Sequence, residues 1–212
     1  MSFVVAIDGP AASGKGTVAK GIARHFGFSY LDTGLIYRAV ANLALKGGNG
    51  ILLDLEAIKV AKLFKADYLN LKYLRTSEAG TNASKIANIP EVRDELIKFQ
   101  RNFSLNDNGS VLDGRDIGTV ICPSADIKFF ITASLSVRAK RRYEELIKEK
   151  NKVSLDEIVA DLQSRDYRDS SRENSPLKIS YDAHLIDTTE LSIEAAIARA
   201  INLVNQKNPN FG

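Results

Sequence analysis

Tryptophan is absent, methionine and cysteine occur once each and histidine twice, and these shortages remove several classes of function. A lone Cys122 closes no internal disulfide, and Ile121-Cys122-Pro123 supplies no base that would activate it, so a buried free thiol is expected. His25 and His184 lie far apart, with no cysteine or carboxylate at ligand spacing, which argues against a structural metal site. No apolar run approaches the roughly 18 residues of a membrane span. The residues after Met1 enter a short apolar segment with no basic stretch before it, so a cytoplasmic protein without a membrane partner is expected. Charge of one sign is scarce too: 29 Lys and Arg against 26 Asp and Glu leave +3, which does not point to a nucleic-acid partner. The guanine-reading pattern Asn-Lys-x-Asp is missing, which weakens a GTPase reading.

What is present suits one soluble unit. With 212 residues and 44% hydrophobic content the chain can bury a single sizeable core. Short β-rich runs at 3–7, 28–31, 110–112, 127–131 and 184–186 alternate with helical patterns beginning near Gly14, Leu35, Pro90, Ser136, Leu155 and Ser192. That alternation predicts an α/β fold, with a central parallel sheet of about five strands covered by helices on both faces. Ile193, Ile197, Ala200, Ile201 and Val204 form an apolar stripe on the last helix, and Ser154 with Glu157 forms a capping box. Gly47-Gly48-Asn49-Gly50 ends the second helix, and the weak periodicity after it reads as an insertion over about 47–85. Residues of about 141–172 read as a lid-bearing helical region with a mobile polar tip near 148–153. The core is then 1–46, 86–140 and 173–212, in one domain without internal repeats.

The strongest motif is Gly9-Pro10-Ala11-Ala12-Ser13-Gly14-Lys15-Gly16-Thr17, between a predicted strand and a predicted helix. A Gly-rich turn directs backbone N–H groups at a phosphate chain, the helix N-terminus adds partial positive charge, and Lys15 reaches the β and γ oxygens. Gly16 stands where Ser or Thr ordinarily follows the lysine to hold Mg²⁺, and Thr17 comes one residue late. A metal is therefore expected to be held mainly through water and the nucleotide's phosphates.

Three further segments carry charge at strand or helix ends. In Asp32-Thr33-Gly34-x-x-Tyr37-Arg38, Arg38 can meet a phosphate and Tyr37 a base, although Asp32 or Thr33 can also simply cap a helix. In Asp113-Gly114-Arg115-Asp116, the first acid sits where a Walker B-like carboxylate would orient Mg²⁺ or its waters; Arg115 offers a fork to phosphate and Asp116 an acceptor to a base. A plain Asp-Gly turn is the alternative. Arg165, Asp169 and Arg172 fall on one helical face, a pattern that on spacing alone is better explained by a solvated ion-paired surface.

Taken in order, Gly-Pro-x-x-x-Gly-Lys-Gly-Thr, Asp-Thr-Gly-x-x-Tyr-Arg, Asp-Gly-Arg-Asp-x-Gly-Thr and Arg-Asp-x-Arg-Asp-x-x-Arg resemble the bacterial cytidylate kinases over essentially the whole chain. The resemblance implies a P-loop NTPase-like three-layer sandwich with a small monophosphate-binding insertion and a helical lid. It also implies ATP-dependent phosphorylation of CMP and dCMP, with ATP and Mg²⁺ required and a monomer expected. By the same resemblance Ser84, Arg93 and Asp116 read cytosine, Arg165 and Asp169 contact the sugar, and Arg38, Arg115 and Arg172 hold the 5′-phosphate, with Asp32, Thr33, Tyr37 and Gly114 around them. Arg138, Arg141 and Arg142 correspond to lid arginines that approach ATP. Catalysis is assigned to Lys15, Arg115, Arg138, Arg142 and Arg172, and the metal's surroundings to Thr17 and Asp113 through water. Ala11 and Ala12 stand where many relatives carry Ser and Gly, and the excursion before Ser84 is short. A kinase for UMP or AMP, or a P-loop ATPase with no nucleotide acceptor, is the rival reading.

Overall fold

The computed structural model describes residues 2–71, 73–148 and 153–208. Five parallel strands form one sheet in the order β2-β3-β1-β4-β5, with β1 Val4–Asp8, β2 Ser29–Asp32, β3 Ser110–Gly114, β4 Ile127–Thr132 and β5 His184–Asp187. Val5, Ile7, Val111 and Ile131 face one side of the sheet and Ala6, Leu31 and Leu112 the other, all buried, as expected for strands covered on both faces. On one face lie α1 (Lys15–Phe26) and α8 (Ile193–Lys207). On the other lie α2 (Thr33–Gly47), α3 (Asp54–Lys62), α4 (Ser77–Ile86) and α5 (Pro90–Ser104).

The last helix follows its stripe with one exception. Ala196, Ala200 and Val204 are buried and Ile197 and Ile201 partly so, whereas Ile193, in the first turn, is exposed and lines a cavity. Cys122 is a buried free thiol. The 47–85 stretch is helical: Ala57, Ala61, Ala83 and Ile86 enter the same core cluster as α2 and α5. These buried positions are mostly alanines, so their contrast with neighbouring polar residues is low and the periodicity is hard to see.

Helices α6 (Leu135–Lys148) and α7 (Leu155–Ser171) pack on each other as a hairpin, and α7 opens with the predicted Ser154–Glu157 capping box. Residues 149–152 of its proposed tip lie outside the described residues. The hairpin has its own apolar cluster, Ala139, Leu146, Ile158 and Leu162, and this cluster takes in Ala11 of the phosphate loop. The hairpin therefore rests directly on the loop.

The strand order reverses direction at β1, whose carboxyl end lies between those of β3 and β4. Ligands of open α/β sheets bind in the crevice at such a point. Gly9 leaves β1 there with φ 155°, and a Cβ on it would stand 2.0 Å from the Ile131 carbonyl oxygen of β4, so no other residue fits.

Candidate active site

Residues 9–14 curl over the start of α1, which begins at Lys15 behind Gly14 in the left-handed region at φ 87°. Ala12 is also left-handed, at φ 59°, a conformation that costs an alanine about 1–2 kcal/mol. Glycine would suit that position better, and the loop holds the alanine there regardless.

Two cavities flank the loop and a third adjoins one of them. The largest, about 540 Å³, lies between α6 and the start of α8 and is lined by Ala12, Gly14, Thr17, Arg141, Leu191 and Ile193. A second, about 180 Å³, lies on the other flank and holds Lys15, Gly16, Asp32, Arg38, Asp113, Gly114, Arg115, Arg142 and Arg165. A third, about 50 Å³, shares Gly114, Arg115 and Arg165 with the second and is lined more deeply by Thr33, Tyr37, Ser84, Arg93, Asp116, Asp169 and Arg172.

Charge pairing fixes the walls of the inner two. Arg93 and Asp116 are both buried and hydrogen-bonded to each other, with the Arg93 guanidinium 5.8 Å from the Tyr37 ring centroid. Arg115 Nε donates to Asp169 Oδ2 at 2.8 Å, and Ser84 Oγ donates to Asp169 Oδ1 at 3.1 Å. Burial pulls the Arg115 guanidinium down, but the Asp169 charge more than offsets it; Asp169 is in turn held below its ordinary value by Arg115 and Arg165 against its burial. For Arg165, burial, then Arg115, lowers the guanidinium to about 10; the Asp169 and Asp161 charges raise it but do not offset what lowers it. Arg165 Nε and Arg172 Nη2 are buried N–H donors that make no hydrogen bond, with Asp169 Oδ2 4.0 Å from the first and Asp116 Oδ1 3.8 Å from the second, which leaves both donors available to an anion.

On the loop side, Lys15 Nζ lies 3.9 Å from Asp113 Oδ2, and burial followed by Arg115 lowers the amine to about 8. Asp113 is 2% exposed; burial and the nearby Asp32 charge raise it to about 6, against Lys15 and Tyr30. Thr33 Oγ1 donates to the Asp113 carbonyl at 2.8 Å, joining α2 to β3 as well as lining the pocket.

Arg138, Arg141, Arg142 and Arg172 take different places around the loop, Arg141 and Arg142 both lining the largest cavity. Arg138 is turned beneath the loop: its Nε donates to the Ala133 carbonyl, Nη1 to the Ala11 carbonyl at 3.2 Å, and Nη2 to Asp166 Oδ2 at 2.7 Å. Arg141 donates to Thr188 Oγ1 and to the Thr188 carbonyl, while Thr188 Oγ1 donates to the Ser13 carbonyl. Only Arg142 of the three enters the second cavity, bonded to Glu145 and Ser77. Arg172 lies 3.8 Å from Asp116 in the deep cavity, apart from Lys15, whereas Arg165 shares the second cavity with Arg38 and Arg115. Thr17 and Asp113 line different cavities, on opposite flanks of the loop.

Asp8 has no place in the motif argument, yet it receives the backbone N–H groups of Ile117 and Gly118 at 2.8 Å each. It thereby ties the residue before the phosphate loop to the turn that carries Arg115 and Asp116. A buried acid at a strand end was the available signal, but its partners are backbone groups 109 and 110 residues away.

A phosphate loop facing a second, arginine-walled anion pocket across one lysine is the arrangement of a P-loop phosphotransferase of the nucleoside monophosphate kinase type. The family model for cytidylate kinase matches residues 5–206, and the chain belongs to that family. Cytidylate kinases of Bartonella bacilliformis, Cereibacter sphaeroides and Sinorhizobium medicae are 53%, 50% and 49% identical to it, over 96%, 96% and 97% of this chain and 94%, 96% and 97% of their own. An uncharacterised protein from Eubacterium ventriosum has the same fold in its crystal structure, with a TM-score of 0.58 at 15% identity over 96% of this chain and 99% of that one. Among the described residues no helix is long and apolar enough to cross a membrane.

Proposed function

We propose that this chain phosphorylates CMP and dCMP with ATP, by in-line attack of a monophosphate oxygen on the γ-phosphoryl group. The observation that carries the reading is the continuity of the second and third cavities, from Lys15 through Arg38, Arg115 and Arg165 to Ser84, Arg93 and Asp116. ATP would lay its phosphates along Gly9–Thr17 with its base in the largest cavity, and the acceptor's phosphate would meet the arginines. A phosphate monoester is a competent nucleophile near neutral pH, so catalysis would be positioning and charge neutralisation, supplied by Lys15, Arg115 and Arg142.

Cytosine offers an N4 donor beside N3 and O2 acceptors, which suits a carboxylate next to an arginine; uracil would set its O4 against Asp116. Arg138 fits a role in holding the loop, and Arg172 the base end of the site. No group of three or more His, Cys, Asp or Glu side chains among the described residues is arranged to hold a metal directly. Asp113 with Asp32 beside it fits a hydrated Mg²⁺, which would supply charge neutralisation to the phosphates.

A cytoplasmic monomer working on diffusible nucleotides completes the reading, with light scattering after gel filtration as the check on the monomer. Coupled ADP release with CMP, dCMP, UMP and AMP tests the reaction itself: CMP and dCMP should stimulate turnover far above water and above UMP and AMP. No stimulation by either cytosine nucleotide would refute it.

A further inference from the structure

Gly16 leaves the phosphate loop without the hydroxyl that ordinarily follows its lysine. A Cβ placed on Gly16 would stand 3.5 Å from Asp113 Oδ2 and 3.7 Å from Tyr30 Oη. A hydroxyl does reach this spot, but from β2: Tyr30 Oη donates to Asp113 Oδ1 at 2.9 Å. Tyr30 occupies Oδ1 while Lys15 leans toward Oδ2 at 3.9 Å, so the two ends of one buried carboxylate are separately engaged. Strand register makes this possible, because β2 and β3 pair in parallel with Tyr30 opposite Val111 and Asp32 opposite Asp113. The Tyr30 ring packs against the cluster under α1, with Lys20 Nζ 5.8 Å from its centroid.

We propose that Tyr30 is a positioning residue that supplies from β2 the hydroxyl absent at Gly16, holding Asp113 with Oδ2 turned to Lys15 and the phosphate side. Burial and the Asp113 charge push the Tyr30 hydroxyl upward, so it remains a donor across the working pH range. A Cβ at position 16 would fit at ordinary contact distance, so a serine there would bring its hydroxyl beside the acid that Tyr30 already holds.

The proposal rests on the loop binding Mg·ATP, not on the identity of the acceptor, so its test is a binding measurement. Calorimetric titration of ATP at a series of Mg²⁺ concentrations gives the Mg²⁺ needed for half-maximal tightening. Tyr30→Phe should raise that concentration about 10-fold, the loss of one hydrogen bond to a charged group, while ATP affinity in excess chelator stays within twofold. In turnover it should lower kcat and leave the KM for the acceptor unchanged. Gly16→Ser in the Tyr30→Phe background should recover most of the Mg²⁺ response, whereas Gly16→Ser alone should weaken it by crowding Tyr30 and Asp113. An unchanged Mg²⁺ response in Tyr30→Phe, an equal loss with and without Mg²⁺, or additive losses in the double variant would each overturn the proposal.

Discussion

Arg115 and Asp169 meet at 2.8 Å across 54 residues of chain, fastening the end of β3 to the far end of α7. Both side chains are largely buried, and Asp169 also receives Ser84. Removing the acid leaves Arg115 and Arg165 together without it in a low-dielectric pocket, and breaking a buried pair of this kind costs about 3–5 kcal/mol. Asp169→Ala is expected to lower stability by about that amount and to raise the KM for CMP well above its effect on the KM for ATP. Urea unfolding and two-substrate kinetics check the two halves separately.

Asp116 is the acid proposed above to face the base. Asp116→Ala should lower kcat/KM for CMP by at least about 100-fold, because the discriminating acceptor is lost and Arg93 is left buried without its partner. ATP affinity, measured by calorimetry without CMP, should stay nearly constant. Equal losses on both sides would remove Asp116 from the base-reading role.

Asp8 governs a pH effect on stability. Burial raises its carboxyl from the ordinary 3.8 to about 7, with Asp116 adding to the rise and Arg115 and the two N–H groups opposing it. The folded chain therefore keeps this proton after the unfolded chain has released it. The stability due to Asp8 is complete below pH 3.8 and is lost as pH rises toward about 7. Asp8→Asn cannot ionise, so unfolding free energies of the variant at pH 5 and pH 8 should differ less than those of the wild type. One backbone N–H would lose its acceptor, and the KM for CMP should rise about 10-fold as the turn bearing Asp116 loosens.

Lys15 is shifted the other way, downward, and affects binding instead. With its amine lowered to about 8 by burial and then by Arg115, the free enzyme loses this cation above that pH, and ATP must bind with uptake of a proton. The Kd for ATP should climb above pH 8, by at most about tenfold per pH unit. Lys15→Met should bind ATP weakly at every pH and show no such break.

Much of this molecule is readable from local pattern. The alternation of apolar runs and helices, the phosphate loop, the Ser154 capping box and the buried Cys122 all depend on neighbours within a few residues, where periodicity and backbone sterics decide. The strand positions fall within a residue or two of those seen. The helices of 47–85 are harder to read, since Ala57, Ala61, Ala79 and Ala83 bury little surface each and leave a weak amphipathic signal.

Which cation meets which acid is another matter. Sequence by itself determined that arginines and carboxylates gather at the carboxyl ends of the strands, because that is where the motifs fall. Only the tertiary structure decided that Arg138 turns under the loop to Ala11 and Asp166, that Arg172 lies by Asp116 while Arg165 shares the second cavity with Lys15, and that Tyr30 serves the acid beside Gly16. A guanidinium on a long side chain can reach several partners within a few ångströms. Burial and strand register, set by contacts far apart in the chain, select one of them.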